Sequence, residues 1–468
     1  MMRATAAALA ASVLAGCAAF SPDGGMDRVS ELTKERAGQG IAPQRSAQDA
    51  GQARARVAEL LAQPLTPEAA VELALLNNRG LQASFSQLGI AEADLVQAGR
   101  LRNPVFGFGR MALGGGAAEI ERSVMFDVLG LLTMPAATQV QQRNFEQAQY
   151  LAAAQAVGLA ADTRRAYFGA VAAQETVKYL RQVKEAADAS NELARRMLQA
   201  GSFNKLAQMR EQAFHADATA GLARAQHQAV AERERLTRLL GLSGEQLGYT
   251  LPERLPALPG QPTTPHNAEQ TAIATRLDVL MARRATEATA RTLGLTNATR
   301  FIDGLEVGYQ NKSESGERRQ NGYAVELPIP LFDFGSARSA RAQATYMQAV
   351  HRLAAVAVNA RSEVRESYSA YRTAYDLAQH YRDEVVPLRK RISEENLLRY
   401  NGMLIGVFEL LADAREQVRG VTGSVQALRD FWVAQTDLQT ALTGLSPAGP
   451  SVPAASTATA VGAPSAGH

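Results

Sequence analysis

Two hydrophobic periods recur along this chain, and the arrangement they form is repeated about two hundred residues later. The first helical stripe opens at Leu65-Thr66-Pro67-Glu68. Thr66 suits an N-cap, Pro67 suits a first helical residue, and Ala70, Val71, Leu73, Ala74 and Leu75 continue the stripe, which predicts a helix to about Gly99. After Asn103-Pro104 the period drops to two. Val105 to Met111 is rich in glycine and aromatics, glycines fill 114 to 116, and Arg122 to Leu132 follows, which predicts a strand, a turn and a second strand. In the second copy Leu305, Val307 and Tyr309 alternate with Glu306, Gly308 and Gln310, and a polar turn covers 311 to 321. Tyr323, Val325, Leu327 and Ile329 then alternate with Ala324, Glu326 and Pro328, before Pro330 and Asp333-Phe334-Gly335 stop the strand. One strand face is apolar and the other suits water.

From about Pro135 to Ala200, and again from Ser336 to Tyr400, Ala, Gln, Glu, Arg and Leu dominate and Pro387 is the only proline after the first residue. At a rise of 1.5 Å per residue, roughly 65 residues make a rod of about 100 Å that needs neighbours along its length. Alanines at 152 to 154, 160, 161, 166, 172 and 173 permit close helix approach, and Leu180, Val183, Leu193 and Met197 supply larger knobs. A soluble Ala-rich bundle accounts for the helices but leaves the strand pairs unexplained. Each rod turns at a glycine-containing tip, at Gly201-Ser202-Phe203 or at Gly402-Met403-Leu404-Ile405-Gly406, and a second helix returns to about 242 or 443. Tyr167 and Ala200 to Phe203 line up with Tyr368 and Asn401 to Leu404, and the copies close at Gly241-Leu242 and Gly444-Leu445. The first repeat is therefore 65–251, with its strand pair about 103–132, and the second is 267–445, with its strand pair about 302–331. A proline-rich connector, 252–266, joins them, and a Pro/Ala/Ser/Gly tail, 446–468, reads as disordered.

Charge and composition narrow the function. A net charge of +3 from 49 basic and 46 acidic residues gives no positive field to hold nucleic acid. The six histidines show no HExxH spacing, and no GxxxxGK[ST] loop or GxSxG elbow occurs. The eleven methionines are scattered and the glycines at 107, 109 and 114 to 116 lie in a hairpin, so no cofactor, metal site or catalytic constellation is expected and the chain reads as a non-enzyme. Arg3, the apolar run Ala4 to Val13 and Leu14-Ala15-Gly16-Cys17 read as a signal peptide, 1–16, ending before the single cysteine. Residues 17–64 read as a flexible linker after it.

Beyond that first segment no apolar run is long enough to span a bilayer as a helix, so any crossing uses strands. Strands of about ten residues with one apolar face meet the requirement for a transmembrane barrel. Four strands cannot close, and open edges in lipid leave backbone groups unpaired at several kcal/mol each. Two copies give eight strands and a filled interior, whereas three give twelve and leave a lumen, which favours a homotrimer.

The Leu65-Thr66-Pro67-Glu68-Ala69-Ala70 opening, Leu101-Arg102-Asn103-Pro104, Pro330-Leu331-Phe332-Asp333-Phe334-Gly335 and Arg399-Tyr400-Asn401-Gly402 through Asp413 resemble the TolC-type outer-membrane efflux family over about residues 65 to 445. Leu14 to Cys17 resembles a lipobox, which implies lipidation of Cys17 and a lipoprotein member of that family. The resemblance implies a mainly α fold with a small transmembrane β part: a trimeric 12-stranded barrel continued by a long α-helical periplasmic tunnel. It implies a Gram-negative outer-membrane location, a periplasmic adaptor (membrane fusion protein), a proton-driven inner-membrane transporter and outer-membrane lipid as partners, and passive conduction of drugs or metal ions. In the family a pair of acidic residues narrows the periplasmic entrance; Glu409 falls on the first of these positions, Ala412 departs at the second, and Asp413 follows it. A solvated or interhelix-paired Glu409 is the alternative to a gate. Gly201, Ser202 and Phe203, with Gly402, Met403, Leu404, Ile405 and Gly406, are the candidate adaptor-docking tips, or else simply pack their turns. A pore-free periplasmic scaffold or adaptor and a type I secretion duct are the competing functions.

Overall fold

The computed structural model describes residues 19–41, 43–112, 118–302, 304–314 and 318–446. Cys17 and the tail from 447 onward lie outside the described residues. In chain order the elements are α1 (Met26–Ala37), α2 (Ala47–Leu61), α3 (Pro67–Asn77), α4 (Arg79–Ala98), β1 (Val105–Ala112), β2 (Ala118–Asp127), α5 (Val128–Gln199) and α6 (Lys205–Leu240). After a 3-10 turn at Gly244–Gly248 come α7 (Ala268–Thr275), α8 (Leu277–Ala298), β3 (Glu306–Glu314), β4 (Gln320–Glu326) and α9 (Ser336–His380). A π turn at Tyr381–Val385 leads into α10 (Val386–Asn401), and α11 is Val407–Thr443. No described helix is long and apolar enough to cross a membrane, which says nothing of a β-barrel.

The chain divides into two compact units. The first comprises the described residues up to Val29, Ser84–Ala152 and Asp278–Val358. Its sheet has the order β1-β2-β3-β4, antiparallel throughout, so the hairpins of the two repeats meet along β2 and β3 from Glu119↔Glu314 to Asp127↔Glu306. Several strand limits differ from expectation: β2 starts at Ala118, ahead of Arg122, and β4 starts at Gln320, inside residues read as turn. The second strand ends at Asp127, not Leu132, because the Asp127 carboxylate accepts the Gly130 amide at 2.6 Å and caps a helix that already includes Val128 to Leu132 and runs on through Pro135. The fourth strand ends at Glu326, short of Ile329, since Pro328 and Pro330 cannot donate to a ladder. The third runs on to Glu314, through residues read as turn. Among the helices of this unit, Arg143 and Glu146 of α5 face Arg284 and Glu287 of α8, with Arg284 to Glu146 at 3.0 Å and Arg143 to Glu287 at 3.4 Å. The residues before α1 are held as well: Ser21 donates its amide to Glu92 at 2.7 Å.

The second unit comprises Ser30–Ala83, Ala153–Leu277 and the described residues from Asn359 on. The stretch 17–64, expected as a flexible linker, carries α1 and α2 in its described part. A capping box at Ser46 and Asp49 starts α2, and Leu32 and Val57 are buried. Leu65, Ala70, Leu73 and Ala74 pack on Ala166, Tyr167, Ala170 and Val171 of α5 and on Leu236 and Leu240 of α6, the small residues allowing close approach. In the second repeat Tyr371, Tyr375 and Phe431 form the corresponding core. The connector is held by the polar tips of aromatics packed in or against this core. Trp432 donates to the Pro256 carbonyl at 3.0 Å, Tyr375 donates to the Gly260 carbonyl at 2.9 Å, and Tyr371 accepts the Thr263 amide at 2.9 Å.

Each repeat opens with two helices where one was expected. Asn78 leaves the helical region at ψ 114°, and Arg276 does so at ψ 132°. Both breaks serve the end of a returning helix. Asn77 donates to the Gly241 carbonyl at 2.8 Å and Asn78 to Leu239 at 3.0 Å; in the other copy the Leu277 amide donates to Gly444 at 3.0 Å and Thr275 donates to Leu442 at 3.1 Å. Arg276, with 1% of its side chain exposed, pairs with Glu363 at 2.8 Å. The rod expected over 336 to 400 is helical to Asn401 but widens at Tyr381–Val385. Pro387 has no amide for the carbonyl four residues back, and the Val386 amide instead bonds five residues back to Tyr381.

Candidate functional site

Cross-strand partners in an antiparallel ladder share a face, so the register sorts the sheet's side chains. One face carries the row Phe126, Val307, Val325, then the row Phe106, Val124, Tyr309, Tyr323. The next row on it is Phe108, Arg122, Asn311, Asn321, followed by Arg110, Ile120 and Ser313 toward the ends where the strands of each hairpin meet. The other face holds all six strand carboxylates, Glu119, Glu121, Asp127, Glu306, Glu314 and Glu326, with Lys312, Ser123 and Gln310. Lys312 pairs there with Glu119 at 2.5 Å. On the first face Phe106, Phe108, Tyr323 and Val325 are exposed, Tyr323 by 89%. A monomeric sheet in water does not leave such residues bare without a reason. The outer edges of β1 and β4 have no strand partner among the described residues.

The tips in the second unit are built as left-handed helix ends. At the first, Gly201 adopts φ 74°, its amide bonds Leu198 at 3.1 Å, and Ser202 bonds Met197 at 2.9 Å. At the second, Met403 takes the same place at φ 58°, with its amide on Tyr400 and the Leu404 amide on Arg399, both at 2.9 Å. Gly201 thus matches Met403 and not Gly402, whose φ is −79°, so the sequence pairing of the tips is corrected by one residue. Asn204 caps α6 by accepting the Ala207 amide at 2.7 Å, whereas Gly406, in the matching place, offers α11 no side chain. Met403 is 94% exposed and Leu404 77%; Phe203 and Ile405 are half-buried. Sequence reading missed further exposed apolar residues on the helices at these tips, Leu206, Met209, Leu397 and Leu398. Their signal is an apolar position off the buried stripe.

The two candidate gate carboxylates lie in different surroundings. Glu409 is exposed in the first turn of α11, and its amide bonds Gly406 at 3.2 Å. Asp413, one turn further, is buried, and its Oδ2 has no hydrogen-bond partner among the described residues. Once the tips are paired correctly, the first repeat has a counterpart that sequence reading missed. Glu211 and Asp413 are both the seventh residue of their returning helices. Glu211 is 1% exposed, accepts the Ser190 hydroxyl at 2.9 Å through Oε2, and leaves Oε1 without a partner among the described residues. Burial pushes its carboxyl up from the usual range, against the Ser190 hydrogen bond and the nearby Arg415 guanidinium. Nearby, Asp188 is held below the usual carboxylate range by Lys184 at 2.6 Å and then by His215 at 2.8 Å. No group of described residues has the make-up of a metal site.

No protein-family model and no curated protein matches the chain. Solved structures do. The Campylobacter jejuni CmeC outer membrane channel superposes with a TM-score of 0.72 at 15% identity, over 82% of this chain and 87% of its own. The outer membrane protein VceC of Vibrio cholerae gives 0.67 at 17% identity over 84% and 97%. The open-state MtrE outer membrane channel of Neisseria gonorrhoeae gives 0.65 at 16% over 84% and 90%. At these identities the likeness is one of fold, and the fold is the TolC-type outer-membrane channel fold that the sequence motifs resemble.

Proposed function

We propose that this chain is the outer-membrane channel subunit of a tripartite efflux system, conducting small toxic solutes passively from a periplasmic adaptor and an inner-membrane pump to the exterior. One observation carries the reading: a four-stranded sheet with an exposed apolar face, an acidic face and two outer edges that have no strand partner among the described residues. In lipid the edges need partners, and three copies joined edge to edge give a 12-stranded barrel with the apolar face toward lipid and the carboxylates toward water. The long helices of both repeats then continue the bore into the periplasm, and acylation of Cys17 ties the N-terminus to the membrane. Chemistry of bond making has no part in this role.

Within the assembly the two tips, Gly201, Ser202 and Phe203 with Gly402, Met403, Leu404, Ile405 and Gly406, dock the adaptor, led by the exposed Met403 and Leu404. Threefold symmetry gathers three Glu409 carboxylates, with Asp413 one turn behind, into a cation-favouring constriction. Native mass spectrometry of the detergent-extracted protein tests the oligomer: three chains are expected, and a stable single chain contradicts the reading. Glu409→Gln is expected to lower the cation-over-anion permeability ratio of the purified channel; an unaltered ratio removes Glu409 from the gate.

A further inference from the structure

Among the described strand residues there are two arginines, and both lie on the apolar face of the sheet, away from the six described strand carboxylates. Arg110 of β1 and Arg122 of β2 are diagonal neighbours in adjacent rows of adjacent strands, a spacing that long side chains span. Arg122 commits one Nη1 hydrogen to β3, the side away from Arg110, and keeps its other N–H groups for a ligand. It donates to the Asn311 Oδ1 at 3.0 Å, and Asn311 donates in turn to the Asn321 Oδ1 at 2.7 Å, which spreads a line of hydrogen-bonding groups across three strands. Arg110 is exposed. The order of rows along the face is two apolar rows, then the Arg122 row, then the Arg110 row, with the Ala112–Ala118 pair alone beyond it in the first hairpin. That order matches a lipid leaflet, hydrocarbon first and headgroup after. Two like charges on a lipid-facing surface with no carboxylate among them are unfavourable unless an anion sits against them.

We propose that Arg110 and Arg122 form a binding site for the phosphate of a lipid headgroup, in the leaflet at the hairpin ends of the sheet. The proposal rests on the membrane-barrel reading above. Guanidinium suits the task because its planar fork donates two parallel hydrogen bonds to phosphate oxygens, and the aromatic rings of Phe108 and Phe106 line the acyl side of the same surface. Asn311 fixes the Arg122 head, so less freedom is lost on binding.

The test titrates the detergent-extracted full chain, by native mass spectrometry, with diphosphorylated lipid A, with the same glycolipid fully dephosphorylated, and with inorganic phosphate. The phosphorylated lipid is expected to bind about tenfold more tightly than the dephosphorylated one, and Arg110→Gln with Arg122→Gln is expected to erase that preference while leaving the oligomer mass unchanged. Excess inorganic phosphate is expected not to displace the lipid. Equal binding of the two wild-type lipids overturns the proposal whatever the variants do, and displacement by inorganic phosphate overturns the lipid as ligand in favour of a free anion. Should the double variant fail to assemble, Arg122→Lys, which keeps the charge and loses the fork, is expected to weaken the preference severalfold; full retention counts against the site. A wild type that extracts as a single chain defeats the barrel reading itself, an outcome distinct from an assembled trimer indifferent to lipid phosphate.

Discussion

Met403 closes α10 in a left-handed conformation that side-chain-bearing residues adopt at a cost, while Gly201 closes α5 in the same way at none. Met403→Gly is therefore expected to stabilise the folded chain by about 0.5–1 kcal/mol, and Gly201→Ala to destabilise it by a similar amount, both read from chemical unfolding of the purified protein. A strained, 94% exposed methionine where glycine fits better supports the proposed docking role of this tip. Under the proposed docking role, Leu404→Asp is expected to weaken crosslinking to a periplasmic adaptor without changing the oligomer mass; an unaltered complex rejects docking through this tip. Glu211 gives a pH-dependent expectation. Its raised carboxyl binds a proton more tightly in the folded chain than in the unfolded one. The resulting stabilisation is complete below about pH 4, near the unfolded value, and is lost as pH rises through the folded value. Glu211→Gln, neutral at every pH, should accordingly melt higher than the parent at pH 7 and lose that advantage at pH 4. A constant difference across that range assigns the effect to packing instead. At this scale the sequence was only partly legible. Thr66 as an N-cap and the alternation of Leu305 to Gln310 follow from residue type alone, whereas the burial of Glu211 and Asp413 depends on which helix faces meet, and that is invisible until the helices are packed.

Among the elements, the long helices and the hairpins were readable because their periods persist over many residues, and the limits were not. Asp127 ends a strand and caps a helix at once, and the apolar run behind it, Val128 to Leu132, fits either element until the capping bond is seen. The breaks at Asn78 and Arg276 escaped for a related reason: neither is a glycine or proline, and each is set by partners more than 160 residues away, Leu239 for Asn78 and Ala441 for Arg276. Helix α2 was hidden in a stretch of mixed composition, yet its Ser46 and Asp49 capping box was present to be read. The buried Arg276 side chain makes the second break the more vulnerable. Arg276→Ala removes its pairing with Glu363 and its bond to the Ala441 carbonyl, and is expected to cost about 3 kcal/mol in unfolding free energy, whereas Arg365→Ala, at an exposed pair with Glu269, is expected to cost under about 1 kcal/mol. Similar costs for the two contradict the role given to the break.

For the molecule as a whole, the decisive property is that its sheet is incomplete. The four strands have a lipid-compatible face and a carboxylate-lined face, but no described strand pairs with the outer edges of β1 and β4. A periplasmic scaffold without a pore has no need of such a sheet, and solved outer membrane channels share this fold over more than four-fifths of the chain. The duplicated plan was legible from sequence because both copies keep the order helix, hairpin, rod, tip and return; the joining of the hairpins along β2 and β3 was not, since no local period reports which strand neighbours which. Single-channel recording of the purified, full-length protein in a planar lipid bilayer tests the central claim most directly. Stepwise, long-lived conductance with a preference for cations, carried by a species of three chains, is expected. A protein that associates with the bilayer yet passes no current, or conducts only as an isolated chain, contradicts it.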